Sequence, residues 1–97
     1  MRVVWSPRAI RRVVEAADFI ALDKPDAARR WAEATFAAVE RLAEFPHSGR
    51  VVPELRRREI REVIHGSYRI IYRVGEEDVF ILTVRHGAQR FDPTEIE

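Results

Sequence analysis

The chain has 97 residues and no cysteine, with 17 basic side chains set against 16 acidic ones for a formal charge of +1. That length supports one domain, spanning 1–97, and leaves too little chain to build a deep pocket. The lack of cysteine excludes a disulfide framework or a thiolate zinc site, and no window resembles a membrane helix or a signal peptide, so a soluble, cytoplasmic protein is expected.

Arg2 to Trp5 reads as a short strand. Ser6-Pro7 then starts a helix, since serine caps and proline suits the first helical position. Ile10, Val13, Val14, Ala17, Ile20 and Ala21 recur at helical spacing, which predicts a helix to about Leu22 with those residues on its buried stripe. Phe19 falls on the polar side. Asp23-Lys24-Pro25-Asp26 breaks the chain and starts a second helix, running to about Glu44. Ala28, Trp31, Ala32, Thr35, Val39, Leu42 and Ala43 form its apolar stripe, with Phe36 at the margin. The alanines allow close approach of the two helices, hence an antiparallel hairpin.

Phe45 to Arg57 has no period and contains Pro46, Gly49 and Pro53, so it reads as a connecting loop. Positive charge gathers from there. Arg50 to Arg73 holds seven arginines against three glutamates, an excess of four, enough to steer an anionic partner. Lys24 is the only lysine, and arginine makes forked contacts to phosphate or carboxylate that lysine does not.

Arg58 to Gln89 reads as three antiparallel strands joined by turns at His65-Gly66-Ser67 and Gly75-Glu76-Glu77-Asp78. Strict alternation puts Arg69, Ile71 and Arg73 on one face. On the last strand it puts Val79, Ile81, Thr83 and Arg85 on one side and Phe80, Leu82 and Val84 on the other. The acidic end, Asp92 to Glu97, reads as frayed. The expected fold is α+β: a short strand, then a helical hairpin packed on one face of an antiparallel sheet that ends in a three-stranded meander.

His47, His65 and His86 share no metal-ligand spacing, and the three serines sit at cap or turn positions. Neither a metal site nor a serine nucleophile is expected, and nothing calls for a cofactor. What remains is an arginine-rich sheet face with Tyr68, Tyr72 and His86 nearby. Such a set can bind RNA, cleave it if a base, an acid and a charge stabiliser converge, or bind an acidic peptide.

The order of elements, with the phrases FPHSGRVVPEL, REIREVIHGSYRIIYRV and VFILTVRHGAQ, resembles the RelE/ParE superfamily of bacterial type II toxins from Trp5 to about Asp92. The resemblance implies a growth inhibitor encoded beside an antitoxin, whose acidic C-terminal segment wraps and silences the toxin in a hetero-oligomer. RelE-like members cut messenger RNA in the ribosome, using basic residues of the sheet face plus a C-terminal tyrosine or a His-Tyr pair. ParE-like members are described as poisons of DNA gyrase with no assigned catalytic residue.

Arg69 matches the meander arginine of the RelE-like enzymes. No tyrosine follows the last strand, however, and arginines replace the lysines of the loop. The ending V-R-H-G-A looks ParE-like, so the resemblance favours a non-nuclease toxin. Arg69, Arg85 and His86 are catalytic only under the RelE-like alternative; a non-toxic module that binds the antitoxin is a third reading. The face expected to meet antitoxin or target comprises Arg61, Arg69, Ile71, Arg73, Ile81, Arg85, Gln89 and Arg90. On it, Ile71, Ile81 and part of Val79 would form an apolar strip with a basic rim.

Overall fold

The computed structural model describes residues 1–96. Strand β1 (Arg2–Trp5) passes through Ser6 into helix α1 (Pro7–Ala21), with the Ser6 hydroxyl accepting the Ala9 N–H at 3.0 Å. Helix α2 (Pro25–Glu40) begins on its proline, with Asp26 in the first turn where the helix dipole favours an acid. One 3-10 turn, Arg41–Ala43, carries it close to the expected end. Three longer strands follow, β3 (Ile60–His65), β4 (Tyr68–Val74) and β5 (Asp78–His86), preceded by the two-residue β2 (Arg50–Val51) inside the segment expected to be loop. Gly66, at φ +59°, supplies the left-handed position of the β3–β4 turn.

The strands form one open sheet in the order β1-β5-β4-β3-β2. The meander and β2 pair antiparallel, but β1 runs parallel to β5, from Arg2 beside Asp78 to Trp5 beside Ile81. The sheet is therefore mixed rather than wholly antiparallel. Parallel pairing is open to β1 because the helical hairpin and three strands separate it from its partner, ample for a crossover.

The two helices cover one face. Ala9, Val13, Val39 and Leu42 pack there against Ile70, Tyr72, Val79, Ile81 and Val84. The buried side of α1 is Ala9, Val13 and Ala16, whereas Ile10 and Val14 are 51% and 53% exposed. The buried stripe thus lies one residue earlier than expected, where two alanines let the helix backbone approach the sheet.

Strand β5 does not alternate strictly. Ile71 lies opposite Thr83 but Tyr72 lies opposite Ile81, so Leu82 is an inserted residue, a β-bulge. Val79 and Ile81 face the helices before the bulge and Val84 faces them after it. This overturns the expected exposure of Ile81, which is fully buried under the hairpin together with Val79.

The other sheet face carries a second, smaller core of Val52, Ile60, Ile71 and Ile96, with Leu55, Leu82 and Phe91 packed on it. Ile71 is fully buried. The expected apolar strip is thus already covered, by the loop after β2 and by residues 91–96.

Candidate functional site

The outer sheet face is organised by carboxylates as much as by arginines. Glu62, at the centre of β3, is 1% exposed and accepts from Arg50 Nε at 2.7 Å and from Arg69 Nε at 2.6 Å. Arg69 also makes a forked pair with Glu54, at 2.8 and 2.7 Å, and its guanidinium lies 5.4 Å from the Phe91 ring centre. The hydrogen bonds from Arg69 hold the Glu54 carboxyl below its usual range, and the guanidinium is itself stabilised as a cation.

Arg85 stands directly opposite Arg69 on the neighbouring strand, as simple register predicts. It does not share Arg69's partners. Its Nη1 donates to Glu95, and its Nη2 donates to the Arg90 carbonyl at 2.9 Å. Glu95 also accepts from the Thr83 hydroxyl at 2.7 Å and from Arg12 Nε at 3.2 Å. Burial pushes the Glu95 carboxyl up, but the Arg12 and Thr83 hydrogen bonds and the charge of Arg85 outweigh it and hold the group below the ordinary value.

The remaining expected site residues are dispersed. Arg61 points to the helix-side rim and donates to the carbonyls of Arg58 and Gly49 at 3.0 and 2.9 Å. Arg73 stacks on Phe80, 4.5 Å from its ring centre. The Gln89 side chain accepts the His86 N–H at 3.0 Å, and Arg90 is exposed. His86 Nδ1 accepts the Ala88 N–H at 3.0 Å, which leaves Nε2 as the nitrogen able to exchange protons with a ligand.

Tyr72, expected near this face, is fully buried under the helices; its hydroxyl donates to the Pro46 carbonyl at 2.8 Å and accepts the Gly49 N–H at 3.0 Å. It offers no stacking surface to RNA. Tyr68 is half-buried between Trp31 and His86, with ring centres 4.8 and 5.2 Å away. Burial raises the pKa of both phenols.

Structure therefore brings Arg69 and Arg85 together, sets His86 beyond them on β5, buries Ile71 on the same face beneath Phe91 and its neighbours, and separates Arg61 and Ile81 from that group. Sequence reasoning missed Arg12, Glu54, Glu62, Thr83 and Glu95. A signal for the last was present: Asp92-Pro93-Thr94-Glu95 has a capping residue followed by proline, and the Asp92 carboxylate does accept the Thr94 N–H at 3.0 Å. Among the described residues no cluster of three or more carboxylate or imidazole groups could hold a metal ion, and no helix is long and apolar enough to cross a membrane.

Residues 3–91 match the family described as ParE toxin of type II toxin-antitoxin system, parDE. The chain is 41% identical over 92 residues to a protein named putative toxin Y4kP from Sinorhizobium fredii, covering 93% of this chain and 92% of that one. It is 36% identical over 89 residues to one named toxin RelE2 from Caulobacter vibrioides, covering 91% and 97% of the two. Two solved structures share the fold. A chain of the chromosomal ParDE system of P. aeruginosa has a TM-score of 0.74 at 17% identity, over 89% of this chain and 95% of that one. A chain of the RelBE2 toxin-antitoxin complex of Mycobacterium tuberculosis has a TM-score of 0.58 at 23% identity, over 91% and 92%.

Proposed function

The chain belongs to the ParE toxin family of type II toxin-antitoxin systems, and from that membership we propose a bacterial growth inhibitor that acts by binding DNA gyrase and is silenced by a cognate antitoxin. The observation that carries the choice of binding over catalysis is the engagement of the sheet-face guanidiniums. Arg69 is held by Glu54 and Glu62, and Arg85 by Glu95. An endoribonuclease needs its cations turned toward a phosphate and a proton carrier placed beside the 2′-hydroxyl. Here both cations are already neutralised, and one nitrogen of His86 is spent on the backbone of its own turn.

A RelE-like ribosome-dependent ribonuclease is the second reading, favoured by the adjacency of Arg69 and Arg85 on neighbouring strands with His86 one residue beyond. Induction in a bacterial host separates the two. Under the gyrase reading, purified protein abolishes supercoiling or traps cleaved DNA, translated messages stay intact by primer extension, and His86→Ala remains toxic. Cuts in translated message with unaffected gyrase would replace it with the ribonuclease reading, and the same cuts should then disappear in His86→Ala.

A further inference from the structure

The turn that carries the chain from β2 into β3 holds three consecutive arginines, Arg56, Arg57 and Arg58, all exposed. Arg56 sits at φ +55°, in the left-handed region that a residue with a Cβ enters at a cost and that recurs where a backbone is shaped for a ligand. Other bonds hold it there. The Leu55 and Arg56 N–H groups both donate to the Val52 carbonyl, at 3.2 and 3.0 Å, and Val52 is buried in the second core. Beyond the arginines, the Ile60 N–H donates to the Arg57 carbonyl at 3.1 Å and Arg61 Nε donates to that of Arg58 at 3.0 Å. The backbone is fixed on both sides of the run, so a ligand meets a turn already ordered.

A fourth arginine joins them. Arg73 stands opposite Ile60 on the neighbouring strand, and the Val74 N–H donates to the Glu59 carbonyl at 2.8 Å, which sets the end of β4 beside the turn. Arg58 lines a shallow groove with Val74 and Gly75. Of the acids there, Glu59 is held by Arg57 at 2.8 Å, and Glu76 lines the same groove. Among the described residues Arg56, Arg58 and Arg73 make no ion pair, in contrast to Arg69 and Arg85. Arg73 lies four residues along β4 from Arg69, roughly 13 Å at the rise of a strand, so this patch is separate from the cluster at the other end of the sheet. The turn exposes no large apolar side chain. An acidic protein segment is gripped through apolar anchors as well as charge, whereas a phosphodiester backbone asks for surface cations, and arginine meets its phosphates with a fork.

We propose that the Arg56–Arg58 turn, with Arg73, is a surface that grips the phosphate backbone of duplex DNA, and that in growth inhibition it holds the DNA that gyrase carries. That the duplex is the one on gyrase rests on the function proposed above. The surface itself does not.

Binding of the full chain to a short fluorescent DNA duplex is measured across a range of salt, beside inhibition of gyrase supercoiling. The principal variant is Arg56→Asn with Arg58→Gln: asparagine tolerates the left-handed position, and the Arg58 carbonyl that Arg61 holds is kept. Each phosphate contact contributes about 0.9 to the slope of log affinity against log salt, so this variant should lower the slope by about 2, and Arg56→Lys with Arg58→Lys should preserve it. Gyrase inhibition by the principal variant should need roughly tenfold more protein. An unchanged slope removes the turn from DNA binding, while inhibition of gyrase by wild type leaves the function standing. Arginine-dependent binding to single-stranded RNA but not to the duplex overturns the DNA assignment as well. If wild type leaves gyrase untouched, the function proposed above and the gyrase part of this proposal fall together, and the slope still decides the surface. Should the principal variant not fold, Arg73→Gln decides in its place, with a slope lower by about 1 expected and an unchanged one overturning the proposal.

Discussion

Arg69 reaches two carboxylates at once, and one of them, Glu62, has no solvent exposure at its side chain. Removing the arginine leaves Glu62 with Arg50 alone, and Arg50 is itself 59% exposed. A buried charge that loses its better partner costs heavily, so Arg69→Ala should lower stability by about 2–3 kcal/mol in urea unfolding, with Glu62→Gln in the same chain restoring part of the loss. No recovery in the double variant would mean that Glu62 is not what Arg69 stabilises. Reduced toxicity in Arg69→Ala is expected too, but it counts as loss of a working surface only where the folded fraction is unchanged. Gly49 makes a second constraint of this size. A methyl group there would lie 2.5 Å from the Glu62 carbonyl oxygen and 2.6 Å from the Tyr72 hydroxyl, so Gly49→Ala should cost about 1–3 kcal/mol through displaced backbone; an unchanged urea midpoint would contradict it.

Ser6 joins two elements, since its hydroxyl accepts the Ala9 N–H at the start of α1 and donates to the Leu82 carbonyl, at 3.0 Å each. Leu82 is the bulge residue of β5, and so the helix start is tied to the point where the strand changes which side it shows the hairpin. Ser6→Ala should therefore cost about 1–2 kcal/mol, the upper part of the range for a lost cap, by shift of the urea midpoint. Ser6→Asp should recover only part, because a carboxylate can cap but cannot donate to Leu82; full recovery would show that the bond to the bulge contributes nothing. The helices and the meander were legible in sequence because each has an apolar period and a turn or cap at its ends. The bulge was not, since one inserted residue changes neither composition nor the apolar character of the run, and it alone reversed the expected facing of Val84 relative to Ile81. Strand β2 escaped notice for another reason: two residues have no period, and it is held by the Arg50–Glu62 pair. The site was legible in its cations and not in its anions. Arg69 and Arg85 follow from register, whereas Glu54 reaches Arg69 from an irregular loop and Glu95 reaches Arg85 from a turn whose Asp92-Pro93 start is readable in sequence but whose packing against β5 is not.

At the scale of the whole molecule, the outer face is closed by two segments that each bring an acid to an arginine: the loop after β2 brings Glu54, and residues 91–96 bring Glu95. Both carboxyls are held below the ordinary value, Glu54 chiefly by its hydrogen bonds to Arg69, and Glu95 by Arg12, Thr83 and Arg85 against the opposing effect of burial. A carboxyl depressed in the folded chain binds its proton more readily when unfolded, so acid favours unfolding. The stabilisation is complete above the unfolded glutamate value of roughly 4.3 and is lost as pH falls through the folded one. Glu95 should carry most of this, because its side chain is 6% exposed where that of Glu54 is 39% exposed and partly screened by solvent. The urea midpoint should therefore be nearly level between about pH 7 and pH 5 and decline below about pH 4.5. Glu95→Gln cannot titrate at that position, so it should begin from a lower midpoint at neutral pH and decline less steeply in acid. If the two proteins lose stability in parallel on acidification, Glu95 does not couple the closure of this face to protons, and its depressed pKa reflects a contact that the unfolded chain retains.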